Sequence, residues 1–258
     1  MSQTPQDPHA QAHHHDDPHQ HHSPHPHAHQ PPDGIDYETA NKQHFDGKAH
    51  NYDDQHDAQR YAEIIGQAMK NTGLFKQGIT TVMDFACGTG LISRVLAAED
   101  PKLIVGVDIS QGMVDQYNKI VSDHGIPPEE MRAICVTPRE KTLEGLQDMK
   151  FDVIVCSVAY HHLSNIEEVT DTLATYLNPG GSLLVVDILH EESTHEMFPE
   201  EYHHIVAHKG GFTEQEIRST FEKAGLKDIT FEIAAHLKLN GHPVDLFLAR
   251  GDKIDVEE

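Results

Sequence analysis

Tryptophan is absent from the 258 residues, cysteine occurs three times, and 19 lysines and arginines stand against 42 aspartates and glutamates, a formal net charge of -23 with histidine neutral. Each shortage excludes something. A protein that grips a polyphosphate backbone needs a basic footprint, so nucleic acid is not an expected partner beyond contact through a local patch. Cys87, Cys135 and Cys156 each lie in or beside an apolar run. That odd number builds neither a disulfide framework nor a zinc knuckle, and it points to a reducing compartment: the cytoplasm, with the nucleus as a second location. No apolar run approaches the roughly 20 residues that span a bilayer. The opening MSQTPQDPHAQ has no basic stretch followed by an apolar one, so no secretory signal is expected.

Histidine is the surplus, with 23 in the chain, ten of them in residues 1–33 alongside seven prolines and no lysine or arginine. Such a segment has too little apolar surface to offset the entropy of ordering, and a disordered tail is expected there, followed by one domain over 34–258. Clustered imidazoles such as His13, His14 and His15 are ligands for soft divalent metals. With no cysteine or carboxylate fixed beside them as support, the tail reads as a solvated low-complexity segment, and no metal site is assigned.

The remainder alternates strand and helix signals. The pattern is helical from Ile35 to Gly73, with Ala62, Ile64, Ile65, Ala68 and Met69 at helix spacing. Thr80–Phe85, Leu103–Val107, Ala133–Val136, Val153–Cys156 and Leu183–Val186 read as strands. Leu91–Ala98, Met113–Val121 and Ile166–Leu177 read as helices, the last stopping at Asn178-Pro179-Gly180-Gly181. This alternation predicts an α/β fold: a mostly parallel sheet with helices on both faces. Thr213 caps a further helix that carries Ile217, Phe221 and Ala224 on one face and stops at Gly225. The runs Ile229–Ile233 and Val244–Ala249 follow, joined by a loop with Asn240-Gly241, a connection short enough to require an antiparallel pair.

Chemistry concentrates in Val82-Met83-Asp84-Phe85-Ala86-Cys87-Gly88-Thr89-Gly90-Leu91. Small residues between a buried strand and a helix let a ligand approach the backbone at the carboxyl ends of parallel strands. Asp108 ends the next strand, where a carboxylate accepts both hydroxyls of a ribose. A dinucleotide fingerprint would need glycine where Ser93 stands, and Asp84 would repel a pyrophosphate. The pair of acids suits a cationic, sugar-bearing ligand, and a nicotinamide-dependent oxidoreductase is the disfavoured reading.

Asp84-Phe85-Ala86-Cys87-Gly88-Thr89-Gly90 resembles the first motif of the seven-stranded, Rossmann-like (class I) S-adenosylmethionine-dependent methyltransferases. Val105-Gly106-Val107-Asp108-Ile109-Ser110 with Met113 is similar to their second motif, and Phe151–Ser157 running into His161-His162-Leu163 to their fourth-strand motif. Leu177-Asn178-Pro179-Gly180-Gly181 resembles the family's turn into the fifth strand. The likeness covers roughly Phe45 to Gly251, and within the family the wording is nearest the ubiquinone/menaquinone-biosynthesis-like set. Phe45-Asp46-Gly47-Lys48-Ala49 with Tyr52 resembles that set's cofactor lid, and Gly211-Phe212-Thr213 its entry to the last helix. A fainter likeness is to fungal methyltransferases that pair with one another in developmental signalling. The family commonly has glycine at Ala86.

The resemblance implies S-adenosylmethionine as cofactor. It assigns Asp84 to orienting the methionine end of the cofactor through backbone or water, Gly88 and Gly90 to its close approach, Ala86 and Thr89 to the same cofactor-binding turn, and Asp108 to the ribose hydroxyls. It places Ile109 and Met113 about the adenine, Thr137 at the adenine edge, Ser157 beneath the methionine moiety and Tyr52 over the site. Methyl transfer needs alignment and a dry site, with a base only if the nucleophile arrives protonated. His161 and His162, Asp187 at the end of the fifth strand, and His203, His204 and His208 are the candidate bases, with His161, His162 and His208 put forward as catalytic. The stretch from Glu191 to Lys209 is an inserted lid-like segment that would choose the substrate. A small-molecule acceptor is the expected substrate. The alternative is a methyltransferase-fold subunit acting in a protein complex, regulatory or with protein- or histone-directed methylation, or in a hetero-oligomer with another methyltransferase. Asp108→Ala is expected to remove most cofactor affinity and leave the fold intact.

Overall fold

The computed structural model describes residues 34–54, 57–136, 142–190, 198–239 and 242–254. The histidine-rich tail, Thr137, Asn240-Gly241 and the first part of the 191–209 insertion lie outside them.

The helical pattern over 35–73 resolves into two helices. α1 (Tyr37–Lys48) is capped by Asp36, whose carboxylate accepts the Thr39 N–H at 3.1 Å. A 3₁₀ turn at Ala49–Asn51 ends it, and α2 (Ala58–Lys70) follows. α2 buries the stripe Ala62, Ile65 and Met69, as its spacing requires, whereas α1 is polar on nearly every face and buries only Tyr37 and Asn41. What holds α1 in place is hydrogen bonding.

The sheet is built from β1 (Thr81–Phe85), β2 (Leu103–Asp108), β3 (Met131–Cys135), β4 (Phe151–Ser157), β5 (Leu177–Ile188), β6 (Lys227–Leu239) and β7 (His242–Asp252). Its order is β3-β2-β1-β4-β5-β7-β6, with β1 to β5 parallel and β7 antiparallel to both neighbours. The helices between strands are α3 (Leu91–Leu96), α4 (Gln111–Asp123), α5 (Ile166–Thr175) and α6 (Glu214–Lys223). This is the seven-stranded Rossmann-like α/β arrangement with its closing antiparallel pair.

Successive side chains of the central strands go to opposite faces and both faces are covered, which explains the nearly continuous apolar runs. Met83, Val105, Ile154 and Leu183 join Phe221 and Leu173 on one side; Val82, Ile104, Val155 and Leu184 join Met69, Leu96 and Tyr117 on the other. Each fully buried aliphatic side chain contributes roughly 1.5–3 kcal/mol. The boundary after α5 differs from expectation: the helix stops at Thr175, and Leu177, read as helix, and Asn178-Pro179-Gly180-Gly181, read as the break, already belong to β5. The reason is pairing, since Leu177 sits beside Phe151 and the Gly180 N–H reaches the Lys253 carbonyl at 2.8 Å.

From β1 the chain runs outward to β2 and β3, then returns to lay β4 on the other side of β1. Open parallel sheets bind ligands above this reversal, at the carboxyl ends of the strands.

Candidate active site

A cavity of about 280 Å³ opens above the ends of β1, β2 and β4, roofed by α1. Its wall includes Ala86 and Gly88 from the turn after β1, Asp108 and Ile109 from the end of β2, Met113 from α4, and Ser157 from the end of β4. Tyr52 closes it over the glycine turn, its ring 4.0 Å from where a Gly88 Cβ would stand. Gly88 has φ +53, and the missing side chain leaves that space open. These seven residues of the sequence reading share one cavity.

Asp108 ties the turn to the second strand. Its Oδ2 accepts the Gly88 N–H at 2.8 Å and its Oδ1 accepts the Ser110 N–H at 2.9 Å. Burial raises its pKa, against the lowering effect of those N–H donors. Each oxygen keeps a lone pair on the cavity wall for a ligand hydroxyl. A carboxylate that organises two backbone segments is more than a strand-tip acid, and the expectation that its removal leaves the fold untouched is corrected on this ground.

Three residues of the reading sit elsewhere. Asp84 is 2% exposed and absent from the cavity wall; its Oδ2 accepts the Ser93 hydroxyl at 2.6 Å beneath the turn. Burial, countered by Ser93 and reinforced by the Asp108 charge, lifts its pKa to about 7. The picture of two acids jointly facing the ligand is therefore corrected: Asp108 is the acid on the wall and Asp84 a buried brace. Thr89 is buried too, its hydroxyl donating to Asp53, whose other oxygen pairs with Arg94 at 2.5 Å. Since Arg94 also donates to the Thr89 carbonyl at 2.7 Å, this triad latches the Tyr52 segment onto α3. Gly90 serves packing: a Cβ there would overlap the Tyr117 ring. Thr137 lies outside the described residues, and its neighbour Val136 lines the cavity.

The histidines also separate. His162 lines the cavity and donates through Nδ1 to the Ile205 carbonyl at 2.7 Å. Burial, with help from neighbouring His161, depresses its pKa to about 3. His161 lies behind it, 3% exposed, with Nδ1 2.9 Å from Asp187 at the end of β5 and its ring stacked on Phe198. His208 packs against Phe212, away from the cavity wall, and its Nε2 has no partner among the described residues. Of the candidate bases, Asp187, His203 and His204 included, His162 is the one on the cavity wall.

The lid resemblance at residues 45–49 and Tyr52 touches the end of this roof, with Phe45 and Tyr52 on the wall; what sequence reasoning missed is the rest of α1. Asn41 and Glu38 of α1 line the cavity, and Lys42 donates to the Ile109 carbonyl at 2.9 Å. Asp46 accepts the Ser110 hydroxyl at 2.6 Å and the Gly112 N–H at 3.0 Å, docking α1 on the start of α4. Val158, also missed, is a β-branched residue at φ +50 on the cavity wall just past β4. Backbone in that region is strained and clusters at functional sites.

Ala86 shares the left-handed backbone, at φ +57, which accounts for a glycine preference at this position. An L-residue there costs roughly 1–2 kcal/mol, of which glycine's greater unfolded-state entropy returns about 0.5–1. Ala86→Gly should therefore stabilise the chain by about 0.5–1 kcal/mol in urea denaturation followed by circular dichroism. A destabilised variant would contradict the backbone assignment.

Comparison with known proteins identifies the domain and its fold. A family model described as a methyltransferase domain matches residues 54–230. An uncharacterised methyltransferase of Schizosaccharomyces pombe is 41% identical over 161 residues, 60% of this chain and 56% of that protein, so the matched region spans little more than half of the relative. A ubiquinone biosynthesis O-methyltransferase of Coxiella burnetii is 27% identical over 40% of this chain and 41% of its own length. Among solved structures, an S-adenosylmethionine-dependent methyltransferase of Aquifex aeolicus shares the fold at TM-score 0.57 and 19% identity, covering 81% of this chain and 98% of that one. Phosphoethanolamine N-methyltransferase 2 of Haemonchus contortus, solved with S-adenosylmethionine, aligns at TM-score 0.55 and 16% identity over 73% of this chain and 51% of its own.

Proposed function

The chain belongs to the methyltransferase-domain family, and from that premise we propose that it transfers a methyl group from S-adenosylmethionine to a small-molecule acceptor. The observation that carries the reading is the Asp108 carboxylate on the wall of the same cavity as the side-chain-free face of Gly88, with no lysine or arginine on that wall among the described residues. Such a wall fits a cationic, sugar-bearing donor. It does not fit a dinucleotide, whose pyrophosphate would meet Asp108 and Glu38 without a counter-charge.

Asp108 would hold the ribose hydroxyls, Ile109 and Met113 would pack on the base, and Gly88 and Ser157 would leave room for the amino-acid end. When bound, the donor supplies an electrophilic methyl group on a sulfonium, whose positive charge is lost as the methyl leaves. The protein's share is alignment and exclusion of water. α1, held on α4 by Asp46 and on β2 by Lys42, covers the cavity, and the Asp53–Arg94–Thr89 triad keeps Tyr52 over the turn.

Titration calorimetry of the full chain tests this reading. S-adenosylhomocysteine is expected to bind one to one with a dissociation constant in the micromolar range, and NAD to give no heat. Binding of NAD without S-adenosylhomocysteine would overturn it.

A further inference from the structure

Two polar side chains on the cavity wall have their donors committed elsewhere. The Asn41 Nδ2 donates to the Tyr37 carbonyl at 2.7 Å and to the Ile205 carbonyl at 2.9 Å. Two carbonyls around one amide end fix its orientation, because the flipped amide would set oxygen against oxygen. That leaves Oδ1, the acceptor, and it has no partner among the described residues although Asn41 is only 5% exposed. His162 repeats the pattern: Nδ1 lies 2.7 Å from the same Ile205 carbonyl and must carry the proton, so Nε2 presents a lone pair. The Ile205 carbonyl thus orients both groups. A buried acceptor left unmatched destabilises the folded chain, and a ligand donor removes that penalty.

The rest of the wall agrees in sign and in polarity. Phe45 and Tyr37 supply aromatic surface, and Phe45 meets the His162 ring edge-on at 5.4 Å. Glu38, Asp108 and Glu168 are the charged residues on the wall, all acidic.

Resting on the methyltransferase reading above, we propose that Asn41 Oδ1 and His162 Nε2 form the acceptor subsite. It takes the O–H or N–H of an uncharged nucleophile on a small apolar body and rejects carboxylates and phosphates. As the nucleophile's lone pair closes on the methyl carbon and the carbon–sulfur pair withdraws onto sulfur, the proton of a hydroxyl nucleophile passes to His162 Nε2. The methylated oxygen is a far stronger acid than an imidazolium, so a ring that stays neutral at physiological pH still receives it. Asn41 and His162 together set the specificity, since a ligand lacking a donor leaves both acceptors unpaired.

The test uses the full chain saturated with S-adenosylhomocysteine and four probes of one size: phenol, aniline, anisole and benzoate. Their affinities are measured by ligand-observed NMR. Phenol or aniline is expected to bind at least tenfold more tightly than anisole, with benzoate the weakest, and the stronger of the first two identifies the nucleophile class. Asn41→Leu should shrink the preference for phenol over anisole severalfold, with His162 Nε2 left as the remaining acceptor; a preference unchanged in the folded variant would remove Asn41 from the subsite. Anisole or benzoate binding as tightly as the best donor in the unmodified chain, or no probe binding at all, overturns the subsite even if the variant does not fold. Failure of S-adenosylhomocysteine to bind is a separate result, and it defeats the methyltransferase reading.

Discussion

Asp108→Ala is expected to weaken S-adenosylhomocysteine binding by about 100-fold or more and to destabilise the fold as well. A carboxylate that accepts two ribose hydroxyls makes two charge-assisted hydrogen bonds, each contributing about 1.5–3 kcal/mol. Losing both amounts to at least about 3 kcal/mol, or roughly two powers of ten in affinity. The second effect comes from the protein's own bonds. The Gly88 and Ser110 N–H groups both lose their acceptor, and an unsatisfied buried donor costs about 1–3 kcal/mol. Calorimetry gives the first effect and urea denaturation the second. A folded variant that binds S-adenosylhomocysteine as tightly as the unmodified chain would show that Asp108 does not hold the ribose.

Asp108 also marks the limit of what the amino-acid order conveys. Its place at a strand tip follows from Leu103–Val107 reading as a buried strand. The two N–H groups it accepts depend on how the turn after β1 folds back toward β2, which no local pattern encodes. The sheet was legible for a physical reason: parallel strands buried on both faces leave apolar runs, and Gly73, Gly90 and Gly225 punctuate them. α1 was legible as helix, and only its end, from Phe45, as part of a cofactor lid through the family resemblance. Its sequence YETANKQHFDGK carries no apolar stripe, so nothing local shows that Asn41 lines the cavity or that Lys42 and Asp46 anchor the helix over it. The His161-His162 pair illustrates the same gap. Two adjacent histidines look equivalent in sequence, yet the 3₁₀ turn at Tyr160–His162 sends one back to Asp187 and the other to the cavity.

That division of labour makes Asp187 the residue whose loss should reach furthest. Its carboxylate accepts the Ile188 N–H at 2.7 Å, the His161 ring at 2.9 Å and the His161 N–H at 3.3 Å, with no exposed surface. Burial works to raise its pKa; the charge and hydrogen bond of His161, with the Ile188 N–H, outweigh burial and hold it below the ordinary 3.8. A carboxyl group depressed in the folded state stabilises at every pH above its unfolded value, and that contribution is lost as the pH falls through the folded value. Asp187→Ala should therefore cost about 3–5 kcal/mol at neutral pH, the usual penalty for removing one partner of a buried pair. The damage should extend into the cavity, because the His161 carbonyl accepts the Ala207 and His208 N–H groups at 2.9 and 3.0 Å and its ring stacks on Phe198. That segment carries Ile205, whose carbonyl orients Asn41 and His162. Urea denaturation at pH 7 measures the stability loss, and hydrogen exchange over 198–208 reads the loosening. A loss under 1 kcal/mol with that segment still protected would show that the pair neither braces the fold nor sets the roof of the site.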